Sequence, residues 1–188
     1  MGYGEPGSVL LGANDRALAV AAIKAMLRIE RDDEDGLIGQ LADTALGLAE
    51  QFLGPVLIAR HVQAVLPAQP GWQRLAAAPV QAISLVEGIA ANGAAVTLPM
   101  TGYAIDIDAR SDGWVRIIDA GGAVQVRVTS TAGQAVDWAT LPAPVRQGVV
   151  LLAGYLFSDR DTTRPPPAAI TALWRPFRGL MLAPAVHA

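Results

Sequence analysis

The chain has 188 residues, with 14 basic and 17 acidic side chains, a formal net charge of -3, 52% hydrophobic residues and no cysteine. This size and hydrophobic content predict one sizeable core, or a core with a small appended module. The slight acidic balance disfavours a general nucleic-acid binder, and the lack of cysteine excludes disulfides, a thiolate nucleophile and cysteine-ligated zinc.

Two helices are predicted within residues 15–53. The first runs from about Asp15 to Arg28, and the second from about Asp33 to Leu53, where Gly54-Pro55 ends it. The acidic cluster Asp32 to Asp35 is interpreted as a cap, in which Asp32 or Asp33 accepts from free backbone N–H groups, rather than as a cation site. Apolar residues of the second helix recur at helical spacing and form one face: Leu37, Ile38, Leu41, Ala45, Leu48, Ala49 and Phe52.

A β module is predicted over residues 56–131. Its short β-rich runs are VLIARHVQAVL, VQAISLVEG, AAVTLP, YAIDID, GWVRIID and AVQVRVTST. Valines at 124, 126 and 128 alternate with polar residues, which is typical of a half-buried strand. Tight hairpins are expected at Asn92-Gly93, Asp112-Gly113 and Gly121-Gly122, where glycine provides positive φ angles.

The helical pattern returns over residues 142–182, in LPAPVRQGVVLLAGYLFSDRD and, after a proline hinge, PAAITALWRPFRGLML. The first of these helices is apolar almost all round and needs cover on more than one side. The predicted fold is therefore α+β: one domain of residues 1–188 in which a helical core, built from the N-terminal and C-terminal helices, carries an inserted antiparallel β module.

Residues that resemble a calcium loop are better explained as a hairpin turn. Asp106, Asp108 and Asp112 have the spacing of oxygen ligands. However, Arg110 stands where a third ligand belongs, and Ile117 stands where the loop requires a bidentate Glu. A polar turn is the interpretation that we adopt.

No catalytic, metal or cofactor site is predicted, and the chain is not expected to be an enzyme. His61 lies in a strand-like run and His187 near the chain end, neither with a visible acid-base or metal-binding partner. Phosphate-loop motifs are missing. The longest apolar run of the C-terminal half, at 149–157, is far shorter than the roughly 20 residues that span a bilayer, so no membrane segment is expected.

The most informative residues lie near the end of the chain. Large aromatic, Arg and Met side chains are enriched at interface centres, and the segment after residue 161 is basic on an acidic protein. Such a segment suits an acidic groove on a partner. The alternative, that Trp174 and Phe177 fold back onto the protein's own helices, has about equal weight. The candidate interface residues are Trp174, Arg175, Pro176, Phe177, Arg178, Leu180 and Met181.

Taken in order along the chain, these motifs resemble the siphophage head-tail connector family, also called adaptor or head-completion proteins, in the variant with a β insertion. The resemblance covers about residues 15–182 and includes APVQAISLVEG at the start of the insertion. Its marks are Leu27-Arg28, the acidic turn Asp32 to Asp35, Arg160-Asp161 and Pro176-Phe177-Arg178. The Ala- and Pro-rich ending after Arg178 departs from the family pattern.

The resemblance implies a structural part of a virion, prophage-encoded particle or gene transfer agent, assembled in the cytoplasm of the bacterial host. About a dozen copies would form a ring at the head-tail junction. That ring would join the portal to the stopper or tail terminator and extend the DNA channel, with a neutral or acidic wall that does not hold DNA. The ring contact is expected on the late helix, at Val149, Leu152 and Leu156. The alternative is a stand-alone β-rich virion or binding module that forms no ring.

Overall fold

The computed structural model describes residues 9–159 and 167–178. The chain divides into two compact units. Of the described residues, the α unit comprises 11–55, 141–159 and 167–178, and the β unit comprises 9–10 and 56–140. The predicted α+β fold is confirmed, because the helices lie in one unit and two antiparallel sheets lie in the other.

The α unit is built around α3. Its helices are α1 (Ala13–Leu27), α2 (Asp35–Leu53), α3 (Ala143–Ser158) and α4 (Ala168–Trp174), and a 3-10 turn (Arg175–Phe177) follows α4. Helices α1, α2 and α4 all pack against α3. This cover on several sides explains why α3 is apolar almost all round. Fully buried side chains of this unit include Ile23, Ile38, Leu46, Leu53, Val145 and Val149.

The loop between α1 and α2 is held by a lysine rather than by a helix cap. Helix α2 begins at Asp35, and its N-terminal residues make no side-chain capping bond, so the expected cap by Asp32 or Asp33 is wrong. Lys24 Nζ instead donates to Asp32 Oδ1 at 2.6 Å and to Asp35 Oδ1 at 2.7 Å. These bonds raise the pKa of Lys24, and the bond from Lys24 lowers the pKa of Asp32. The only lysine of the chain thus ties the end of α1 to the start of α2.

Seven strands make the two sheets of the β unit. They are β1 (Arg60–Pro67), β2 (Trp72–Arg74), β3 (Val80–Ile89), β4 (Ala95–Thr97), β5 (Tyr103–Ile107), β6 (Gly113–Ile117) and β7 (Gln125–Ala132). One sheet has the order β1-β7-β3-β4 and the other β2-β6-β5. Both contribute to one apolar core, which includes Val62, Val86, Val115, Ile117, Val126 and Val128. The predicted runs correspond to every strand except β2, whose sequence Trp-Gln-Arg contains no β-branched residue, whereas the equally short β4 contains Val and Thr.

Strand β7 shows where alternation holds and where position in the sheet overrides it. Val126 and Val128 are fully buried, as the pattern predicts. Thr129 and Ser130 are buried as well, because β7 lies between β1 and β3 and has neighbours on both edges. Val124 precedes the strand and is exposed. The sequence pattern therefore identified the strand but not its central place in the sheet.

Glycine has a positive φ at two of the three predicted turns, but only Asn92-Gly93 joins paired strands, β3 and β4. The hairpin expected at Gly121-Gly122 is wrong, because that turn lies between β6 and β7, which belong to different sheets. Gly93 has a φ of 84°, and Gly121 and Gly122 have φ of 58° and 84°. At the third, β5 and β6 form the expected hairpin, but the role expected of the glycine is wrong: Gly113 is a buried residue of β6, and the positive φ of that turn belongs to Ser111, at 61°. Gly113 is small for a different reason, since a Cβ there would lie 2.8 Å from a Val80 methyl group.

Candidate interface surfaces

The C-terminal segment is anchored on its own unit by Trp174. This side chain is 3% exposed, and its Nε1 donates to the carbonyl oxygen of Val145 in α3 at 3.1 Å. The indole lies against Gly148 so closely that a Cβ there would overlap it. On the other side, the rings of Phe52 and Trp174 have centroids 5.9 Å apart and are tilted by 45°. Of the two open interpretations, Trp174 therefore follows the one in which it folds back onto the helices.

Residues 175–178, which follow Trp174, are largely exposed. Arg175, Pro176 and Arg178 are exposed, and Phe177 is half-buried. The guanidinium of Arg178 lies 5.4 Å from the centroid of the Phe52 ring, which positions the cation beside the anchored aromatic pair. Residues 167–178 contain two arginines and no acidic residue, so this edge of the α unit is locally basic. We call residues 175–178 the basic turn.

Two other predicted interface residues, Leu180 and Met181, lie outside the described residues, as does the Arg160-Asp161 pair of the family pattern. Their predicted part in partner binding stays a prediction.

The predicted ring residues on α3 lie mostly inside the subunit. Val149 is fully buried and Leu152 is 2% exposed, so neither offers side-chain surface to a neighbouring copy in this fold. The physical reason is the cover of α3 by the other helices of its unit. Leu156 is half-buried, and the ring contact stays a prediction for this residue alone.

A second exposed surface, on the β unit, was missed by sequence reasoning. The guanidinium of Arg116 lies 5.2 Å from the centroid of the Trp72 ring, and Trp72 is 47% exposed. Two positions along the same pair of strands, Arg74 lies opposite Trp114 on the same face of the sheet. Trp114 Nε1 donates to Asp108 Oδ2 at 3.1 Å. Trp and Arg are enriched at interface centres. The pairing of β2 with β6 assembles this face, and neither short strand indicates it alone.

The acidic residues of the β5–β6 turn serve the turn itself. Asp108 Oδ1 accepts from the backbone N–H groups of Arg110 and Asp112, at 2.8 and 3.0 Å. The backbone N–H of Asp112 and then the Trp114 indole are the main causes that lower the pKa of Asp108. Asp112 pairs with Arg74 at 2.6 Å. The interpretation as a polar hairpin turn is thus confirmed.

The described residues show neither a metal-binding group nor a membrane-spanning helix. Across residues 9–159 and 167–178, no group of three His, Asp or Glu side chains is arranged to hold a metal ion. His61 is exposed, and its Nδ1 lies 3.3 Å from Thr131 Oγ1 on the paired strand. Within the same ranges, no helix is long and apolar enough to cross a membrane.

Comparison with known proteins supplies the remaining evidence. No family model matches the chain, and no curated protein matches it. Among solved structures, a chain from the neck of an empty gene transfer agent particle, computed with C6 symmetry, is 22% identical with a TM-score of 0.70, over 91% of this chain and 94% of that one.

Two further structures agree. A chain from the virion of a native gene transfer agent particle is 23% identical with a TM-score of 0.67, over 92% and 95% of the two chains. A chain from the neck of a native gene transfer agent particle, computed with C12 symmetry, is 25% identical with a TM-score of 0.63, over 87% and 92%. The chain has the fold of gene transfer agent neck proteins. The resemblance to head-tail connectors that the sequence motifs indicated is thereby confirmed at the level of the fold.

Proposed function

We propose that this chain is a structural neck protein of a phage-like particle, a head-tail connector without enzymatic activity. The observation that carries this proposal is the correspondence in fold with chains of gene transfer agent particles, two of them from necks, over about nine-tenths of both lengths. The same correspondence supports a position at the head-tail junction of the particle. In our proposal the copies form a ring, since two of the related necks were computed with C6 and C12 symmetry.

Within this function, the ring joins the portal to the stopper or tail terminator and extends the DNA channel. A part that joins two partners needs at least two separate surfaces. The chain carries one candidate on each unit: the basic turn of the α unit, and the Trp72–Arg116 face of the β unit. Neither surface needs a bound cofactor, and none is proposed.

The basic turn is proposed as the contact with the portal. Trp174 supports it from inside the α unit, and Arg175, Pro176 and Arg178 present their side chains outward. Two arginines with no acidic residue near them in sequence suit an acidic groove on the portal. In a ring, many copies of this modest contact would bind together, and the high effective concentration would raise the overall affinity. Leu180 and Met181 are proposed to extend the same contact.

The first experiment is light scattering after size exclusion on the full chain, alone and mixed with the portal protein of the same particle. We expect either a ring-sized species or a smaller species that assembles on the portal. A monomer or dimer that does not bind the portal protein would overturn the proposal and favour a stand-alone β-rich binding module.

A second experiment assigns the portal contact to the basic turn. Reversal of both charges, with Arg175→Glu and Arg178→Glu, should weaken portal binding by about tenfold or more while the fold is kept. The matched control reverses two exposed arginines elsewhere, with Arg31→Glu and Arg110→Glu. Equal binding by the two double variants would remove the basic turn from the proposal.

A further inference from the structure

The outward faces of α1 and α2 carry no exposed charge. On α1 the exposed side chains include Ala17, Leu18, Ala21, Ala25 and Met26. On α2 they include Leu37, Gln40, Thr44, Leu48 and Gln51. All charged residues of these two helices are buried or half-buried. Helix faces that meet water normally carry charged residues, so two such faces on neighbouring helices are unusual.

The cations of these helices are paired with carboxylates of the same subunit. Arg16 forms an ion pair with Asp43 across the two helices, and the backbone N–H of Leu11 also donates to Asp43, at 3.0 Å. Lys24 is held by the acidic loop and by the start of α2. In contrast, six of the seven residues in the loop Arg28–Glu34 are charged and exposed. The local sequence is therefore rich in charge, and the lack of charge is confined to the helix faces.

The exposed face of α1 forms one side of a groove. This open groove has a volume of about 680 Å³, runs from Ala13 to Ile29 and reaches Gly36 at the start of α2. Alanines, Val20 and Ile29 line it. Its charged residues are Arg16, which pairs with Asp43, and Lys24 and Asp35, which pair with each other. A helix of 15 residues, the length of α1, is about 22 Å long, and α2, with 19 residues, is about 28 Å long. The groove thus has the length of a helix, and its small side chains leave room for larger ones.

We propose that the α1 groove of one copy receives the outward face of α2 from the next copy, through Leu37, Thr44 and Leu48. This inference rests on the proposed function, because it assigns the contact by which the neck ring closes. Both surfaces belong to the same chain and differ in shape, as a contact between a ridge and a groove requires. The ridge residues are uncharged, and the charges of the groove are paired within the subunit. A contact between two different faces generates a ring when its rotation closes, which agrees with the C6 and C12 symmetry of the related necks.

The contact is tested by placing a charge on either face of the full chain. Ala21→Glu alters the groove and Thr44→Glu alters the ridge, and both positions are exposed in the single subunit, so thermal unfolding should not change. For each variant, we expect the protein concentration at which rings form, alone or on the portal, to rise by about tenfold or more. The control is Ala91→Glu, an exposed alanine in the turn between β3 and β4, which should assemble like the unaltered chain.

Mixing distinguishes a contact between different faces from one between like faces. An equimolar mixture of the Ala21→Glu and Thr44→Glu variants retains one unaltered pairing, between the ridge of the first and the groove of the second. Light scattering should therefore show heterodimers that do not grow into rings. Loss of assembly by only one variant, or normal rings from both, would overturn this contact while the proposed function stands. Failure of the unaltered chain to assemble or to bind the portal would overturn the proposed function as well.

Discussion

At the scale of single residues, the packing of Trp174 determines which side chains of residues 174–178 are buried and which are exposed. Trp174 fills the space that Gly148 leaves on α3, and its indole N–H is bonded to the backbone of the same helix. A buried indole of this kind usually has such a partner, since an unpaired polar group would be costly inside the core. Trp174 therefore stabilises the α unit, and the exposed arginines beside it are the residues that we propose contact the portal.

Gly148→Ala should destabilise the chain, because the new methyl group would meet the indole of Trp174. We expect a loss of about 1–3 kcal/mol in the free energy of unfolding, typical of an overpacked core. Urea unfolding measures this loss. The control is Gly36→Ala, in α2, where no atom lies within 4 Å of the added Cβ and where helix propensity favours Ala by up to about 1 kcal/mol. Equal midpoints for the two variants would contradict the packing described.

At the scale of elements, the β5–β6 hairpin depends on one carboxylate. Asp108 accepts two backbone N–H groups of its own turn and the indole N–H of Trp114 on β6. These bonds favour the ionised form, which is why the pKa of Asp108 is lowered. Because the pKa is lower in the folded chain than in the unfolded chain, the stabilisation is present above the unfolded value of about 3.9 and is lost as the pH falls through the folded value.

Asp108→Ala should lower the thermal midpoint at pH 7, and the difference from the unaltered chain should shrink as the pH falls below about 4. Thermal unfolding over this pH range measures both effects. Asp106→Ala, at an exposed position of the neighbouring strand, serves as the control and should change the midpoint less at pH 7. A midpoint difference that is independent of pH would show that the ionised carboxylate is not what holds the turn.

At the scale of the whole molecule, the proposed ring must let DNA pass without holding it. The chain has a formal net charge of -3, so many copies together repel a duplex unless their basic residues line the channel. Proteins that hold DNA neutralise several phosphates and lose affinity steeply as salt increases. The proposed function therefore requires a channel wall that is neutral or acidic on average.

We expect the assembled protein to show little binding to a duplex of about 30 base pairs at about 50 mM salt, and none at about 200 mM salt. Fluorescence anisotropy of a labelled duplex at both salt concentrations is the measurement. Tight binding at the lower concentration that disappears at the higher one would indicate a channel lined by arginine. That result would contradict the neutral or acidic wall.

The sequence by itself determined the classes and order of the elements. Long periodic segments such as α2 and α3, and β runs bounded by glycine turns, are readable because periodicity and turn chemistry are local properties of the chain. The motif order also indicated the connector resemblance, with residues from Leu27 to Arg178. Strand β2 was not predicted because Trp-Gln-Arg contains no β-branched residue and is too short to show alternation.

The tertiary structure alone decided which residues meet. Trp174 had two equal interpretations until its contacts with Phe52 and Gly148 were known. Lys24 reaches across a loop to two aspartates, and Val149 and Leu152 are covered by other helices. These outcomes depend on contacts between residues far apart in sequence. The sequence does not show whether an apolar or aromatic residue belongs to the core or to an interface, because removing its surface from water is favourable in both places.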